Sequence, residues 1–91
     1  MKIYLIIVEW QYDSGENGLD IQAFKNYENA EKEFNAQVEM AKVDFENVTS
    51  NSEIEITNVG ENKHWSIFEN GEYCYNHINI KLITRYFVDG D

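Results

Sequence analysis

The segment "KIYLIIVEWQY" (2–12) constrains the fold of this chain more than any other stretch. It is short, β-branched and aromatic, the composition of a strand. Alternation places Tyr4, Ile6, Val8, Trp10 and Tyr12 on one face and Ile3, Leu5 and Ile7 on the other. A strand apolar on both faces sits centrally in its sheet or is covered from both sides. The loop "DSGENG" (13–18) follows, and "LDIQAFK" (19–25) alternates Leu19, Ile21 and Ala23 with polar residues, so the N-terminus reads as a hairpin.

The periodicity then changes. Tyr27, Ala30, Phe34, Val38, Ala41 and Phe45 step by three and four, which makes one stripe on a helix of roughly 27–47. Asn26 is its expected N-cap, and Glu28, Glu31 and Glu33 complement the positive end of the helix. Ala36, Met40 and Val43 fall on the opposite, solvent side, either as ordinary helix surface or as a small patch for a partner. Beyond the polar break at 48–52, "EIEITNV" (53–59) alternates as a strand with one wet face. "HINIKLITRYFV" (77–88) alternates again, and the chain contains no proline to interrupt pairing. The order β-β-α-β-β-β predicts a single α+β domain over 1–91: a mainly antiparallel sheet with one helix packed on one face.

Ninety-one residues support one small core, and 43% hydrophobic and 14% aromatic content is too rich for a disordered chain. A lone cysteine, Cys74, forms no internal disulfide, which suits a reducing cytoplasm. Lys2 precedes an apolar run, but Glu9 breaks it too early for a signal peptide or a membrane span, so a soluble, unprocessed chain is expected. The sequon at 47–49 is then a chance match. Seventeen acidic against seven basic residues leave a net charge of −10, which repels phosphate backbones. No basic patch offsets this, since at most Lys81 and Arg85 share a strand face. Direct nucleic-acid binding is therefore not expected, whereas a basic protein partner is.

Chemistry-bearing residues concentrate in "HWSIFENGEYCYNH" (64–77). Asn70-Gly71 signals a two-residue type I′ turn, which would place His64 opposite His77, Trp65 opposite Asn76, Ile67 opposite Cys74 and Phe68 opposite Tyr73. Trp65, Ile67 and Cys74 then face the core with Ile78, Ile80 and Leu82. His64, Ser66, Phe68, Tyr73, Tyr75 and His77 face the other way. Cys74 lies across the sheet from both histidines in this arrangement, which excludes a Cys-His dyad and a Cys-x-x-His ligand pair. Cys74 reads as a small core residue rather than a reactive thiol. The opposed His64–His77 pair could hold a metal or small ligand with help from Glu61 or Glu69; two half-exposed histidines are the simpler reading.

We take His64, Phe68, Tyr73, Tyr75 and His77 as a candidate protein-binding face. It is similar to the aromatic platforms of single-stranded RNA-binding sheets, but it lacks their glycine- and lysine-containing motif and their charge. The sequence contains no Walker loop, no G-x-S-x-G and no H-E-x-x-H, so no catalytic residues, cofactor or structural metal are expected. In size, acidity and lack of motif the chain resembles accessory proteins of bacteriophages and mobile elements, some of which inhibit host defence nucleases. That resemblance implies a non-enzymatic interaction protein or inhibitor whose partner is a nucleic-acid-handling protein. A structural homodimer joined through the aromatic face is the alternative.

Overall fold

A computed structural model of the protein describes residues 2–12, 14–44, 52–70 and 75–86. Five strands, β1 (Lys2–Gln11), β2 (Asn17–Phe24), β3 (Ser52–Val59), β4 (Asn62–Asn70) and β5 (Tyr75–Tyr86), form one sheet, and one helix, α1 (Tyr27–Asp44), crosses it. All pairings are antiparallel and the order is β2-β1-β5-β4-β3, so the expected α+β architecture is the observed one.

β1 is an inner strand, as its two apolar faces require. It pairs along its whole length with β5, from Lys2 opposite Tyr86 to Gln11 opposite His77. On its other side it pairs with β2, from Tyr4 opposite Phe24 to Gln11 opposite Asn17. This ladder fixes the core. Tyr4, Ile6 and Val8 of β1 line up with Ile78, Ile80 and Leu82 of β5 and with Trp65 and Ile67 of β4 on one face. Ile6, Ile80 and Leu82 are the largest fully buried side chains, each stabilising the fold by about 1.5–3 kcal/mol relative to exposure.

The helix starts where its sequence says it should. The Asn26 side-chain oxygen accepts from the Glu28 and Asn29 backbone N–H groups at 2.8 and 3.3 Å, a cap that contributes about 1 kcal/mol. Ala30, Phe34, Val38 and Ala41 are buried against the sheet, while Met40 and Val43 face solvent. Phe45, the last member of the expected stripe, lies outside the described residues. The helix packs over β5, β1 and β2. On the helix side of the far edge strand, Ile54 and Ile56 remain exposed.

The β1–β2 turn works through Gly18, opposite Trp10. The Trp10 indole lies so close over Gly18 that a Cβ there would come within 2.2 Å of the ring. Glycine is needed here for close approach, not for its backbone freedom. Gly18→Ala is therefore expected to force Trp10 off its seat against the core and to cost about 1–3 kcal/mol. The urea midpoint followed by tryptophan fluorescence measures this, and an unchanged midpoint would show that Trp10 has free room to move.

Candidate interaction surface

The β4–β5 register corrects one expectation. The ladder pairs Asn70 with Tyr75, Phe68 with His77, Ser66 with Asn79, Trp65 with Ile80 and His64 with Lys81. Asn70-Gly71 is therefore not a two-residue turn. Residues 71–74 lie between the last paired positions, and the strands are offset by four residues from the expected pairing. Core packing overrides the local turn signal. The expected register would have put Asn76 opposite Trp65 on the buried face, whereas the observed one supplies Ile80 to Trp65 and Ile78 to Ile67.

The proposed histidine pair is lost with that register. His64 and His77 are four residues apart along the ladder, about 13 Å at about 3.4 Å per residue. Two imidazoles at that spacing cannot share one metal ion. His64 Nε2 instead lies 2.8 Å from Asn79 Oδ1, and His77 packs edge-on to Phe68 with ring centroids 5.9 Å apart. Among the described residues no group of three or more His, Cys, Asp or Glu side chains is placed to hold a metal.

An offset of four is even, so the assignment of side chains to faces survives it. His64, Phe68 and His77 occupy the sheet face opposite the helix, as expected. Tyr75 is placed by its backbone, opposite Asn70, while Tyr73 and Cys74 lie outside the described residues.

That uncovered face holds more than its aromatic members. The registers place Leu19, Ile21 and Ala23 of β2 beside Glu9, Ile7 and Leu5 of β1. Ile83 and Arg85 of β5 lie opposite Leu5 and Ile3, and Lys81 lies opposite Ile7. Leu19 and Ile21 are 59% and 54% exposed, and Ile3, Leu5, Ile7 and Ile83 are half-buried. An aliphatic field thus spans three strands and continues through Lys81 to the His64–Phe68–His77 end. Both alternations were visible in the sequence, but only the strand order shows that they are neighbours. At the β1–β2 end of this face, a cleft of about 510 Å³ opens between Glu9, Asn17, Leu19, His77 and Asn79.

Charge is distributed unevenly around this field. Lys2 pairs with Glu61, Lys63 with Glu31 at 2.8 Å and Lys42 with Glu39 at 3.3 Å. The first two pairs belong to a latch that joins the start of the helix and the β3–β4 turn to the sheet. Glu61 accepts from Lys2 and from the Tyr4 hydroxyl at 3.0 Å. Tyr4 packs edge-on to Tyr27, whose hydroxyl donates to Glu31 at 3.1 Å, and Glu31 also accepts from Lys63. Lys81 and Arg85 form no ion pair with the described residues, so two of the chain's few uncommitted cations sit within the uncovered face. Glu9, Glu53 and Glu55 share that face by register, so it carries a small part of the negative charge and most of the excess lies elsewhere on the chain.

The chain matches no protein-family model, and no curated protein matches it. Among the described residues no helix is long and apolar enough to cross a membrane.

The latch has a pH signature. Hydrogen bonding from Lys63, then from Tyr27, lowers the Glu31 pKa below the usual 4.5, and hydrogen bonding from Lys2, then from Tyr4, does the same for Glu61. Carboxylates held below their unfolded value stabilise the fold fully above about pH 4.5, and that stabilisation disappears as pH falls through their lowered folded values. Urea midpoints measured from pH 6 down to about 3 should therefore fall less steeply in the Glu31→Gln/Glu61→Gln double variant than in the unaltered protein. Parallel slopes would show that the latch carboxylates titrate alike in the folded and unfolded states.

Proposed function

We propose that this protein is a non-enzymatic interaction domain that docks a basic protein on its uncovered sheet face. The observation that carries this reading is the aliphatic field of Ile3, Leu5, Ile7, Leu19, Ile21 and Ile83, which the helix leaves open. Five strands at about 4.8 Å spacing and about eight residues at about 3.4 Å give a face on the order of 600 Å². One side of a standard protein–protein interface is about 800 Å², so the face is large enough to act as one. The apolar field occupies the β2, β1 and β5 part of that face, and apolar patches of a few hundred Å² on a monomer are often functional.

Charge supports the choice of a basic partner. A net charge of −10 steers a cationic surface toward the domain, and Glu9 and Glu55 offer acidic contacts around the apolar field. His64, Phe68 and His77 provide aromatic anchors at one end of it. In its sharpest form the partner is a nucleic-acid-handling protein whose phosphate-binding channel the acidic domain occupies.

The test is comparative capture from an extract of the source organism. A basic protein retained by the unaltered domain should be released as salt is raised from about 0.05 to 0.5 M. Its retention should fall at least tenfold with Ile7→Asn and with Phe68→Asn, each checked for folding by circular dichroism. The helix-surface variant Met40→Asn should retain it fully. A partner held equally by all three variants, or held independently of salt, would overturn the reading. A DNA oligonucleotide that displaces the partner would support its sharpest form, and failure to compete would remove that form.

A further inference from the structure

We infer that the free edge of β2 pairs antiparallel with β2 of a second copy, with Ile21 facing the partner's Ile21, to build one continuous ten-stranded sheet. β2 and β3 end the sheet on its two sides, and their outer backbone groups are the ones without a neighbouring strand. No loop or turn backbone hydrogen bond among the described residues reaches the β2 edge. Such an edge is a template for another strand unless charge, proline or a covering segment blocks it.

The two edges differ in their suitability for self-pairing. β3 carries Glu53 and Glu55 and no cation, so a two-fold pair would gather four carboxylates along one seam. β2 carries a single charge, Asp20, and Lys25 follows the strand directly, so a two-fold pair brings two carboxylates to the seam rather than four. It is also self-complementary. With Ile21 on the two-fold axis, Leu19 faces Ala23, Asp20 faces Gln22, Gly18 faces Phe24 and Asn17 faces Lys25. On the uncovered face Leu19 meets Ala23 and the two Ile21 side chains meet each other, and on the helix face an acceptor meets an amide donor. No like charges stand directly opposite. Sliding by one pairing step in one direction sets Asp20 against Asp20, and in the other direction it sets Asp20 against Phe24 and Leu19 against Lys25. One register is therefore clearly preferred.

The exposed side chains support the same seam. Leu19 and Ile21 are each more than half exposed on an edge strand, and the paired copy would bury them against its own Ala23 and Ile21. On the helix face the Trp10 indole already overlies Gly18, so the incoming Phe24 would land beside an aromatic ring. Pairing of this kind covers the outer flanks of Leu19 and Ile21, leaves the rest of each docking face open and joins the two into one wider surface. The inference does not depend on the docking reading, since it concerns the purified protein alone.

Sedimentation equilibrium on the purified protein tests it. At roughly 0.5 mM, a concentration suited to interfaces at the small end of the range, the mass should approach twice 10.7 kDa. Ile21→Lys and Ile21→Glu should each sediment as monomers, because each places like charges opposite one another on the axis. An equimolar mixture of the two should restore the dimer. Ile56→Lys, on the opposite edge strand, should leave the dimer intact. A strictly monomeric protein at that concentration would overturn the proposal. So would a dimer that survives Ile21→Lys, a mixture that stays monomeric, or a dimer lost with Ile56→Lys.

Discussion

The β1–β5 ladder is the constraint on which the rest of the molecule depends. Ten consecutive residues of β1 are paired with β5, and eight of them, Tyr4 to Gln11, also pair outward with β2. β5 in turn pairs with β4, which carries β3. Once Ile6 stands opposite Leu82 and Val8 opposite Ile80, the buried face of every strand is determined, because side chains alternate strictly along each one. Helix α1 then lies over the strands that offer it the densest apolar row. The latch of Tyr4, Glu61, Tyr27 and Glu31 secures one end of that arrangement with groups that are all hydrogen-bonded.

The same ladder explains which features could be read in the sequence. The helix was legible because its cap, its stripe and its acidic first turn agree with one another, and tertiary packing had nothing to override. The strands were legible from alternation. The β4–β5 turn was not, because Asn70-Gly71 is a local signal while the register of β5 is set by two neighbours at once. Placing Ile80 beside both Val8 and Trp65 is worth more than an ideal two-residue turn. The histidine pairing depended on that turn and was lost with it. The aliphatic half of the uncovered face was missed for a different reason: Leu5 and Ile21 share the N-terminal hairpin, but Ile83 comes from the far end of the sequence, and only the strand order sets it beside them.

Among the described residues three cations are engaged in ion pairs, two of them in the latch, while Lys81 and Arg85 stand on the open face beside aliphatic neighbours. Their long stems can lie along Ile7 and Ile3 and keep the charged ends in water. The open face is thus close to neutral within a strongly negative protein. Such a surface keeps the chain from associating indiscriminately and still leaves one region where close approach is not opposed.

The four-residue difference between the expected and the observed β4–β5 pairing carries a lesson about how this architecture tolerates change. A sheet strand records only odd and even, so a shift of two or four leaves every inward residue inward. Slips of β4 along β5 therefore fall into two classes. Slips of two or four move the ends of the recognition surface along the strand while its identity is kept. A slip of one would exchange Trp65 and Ile67 with His64, Ser66 and Phe68, turning the core outward. Drift in this hairpin is quantised, and the composition of the open face can persist while its outline changes.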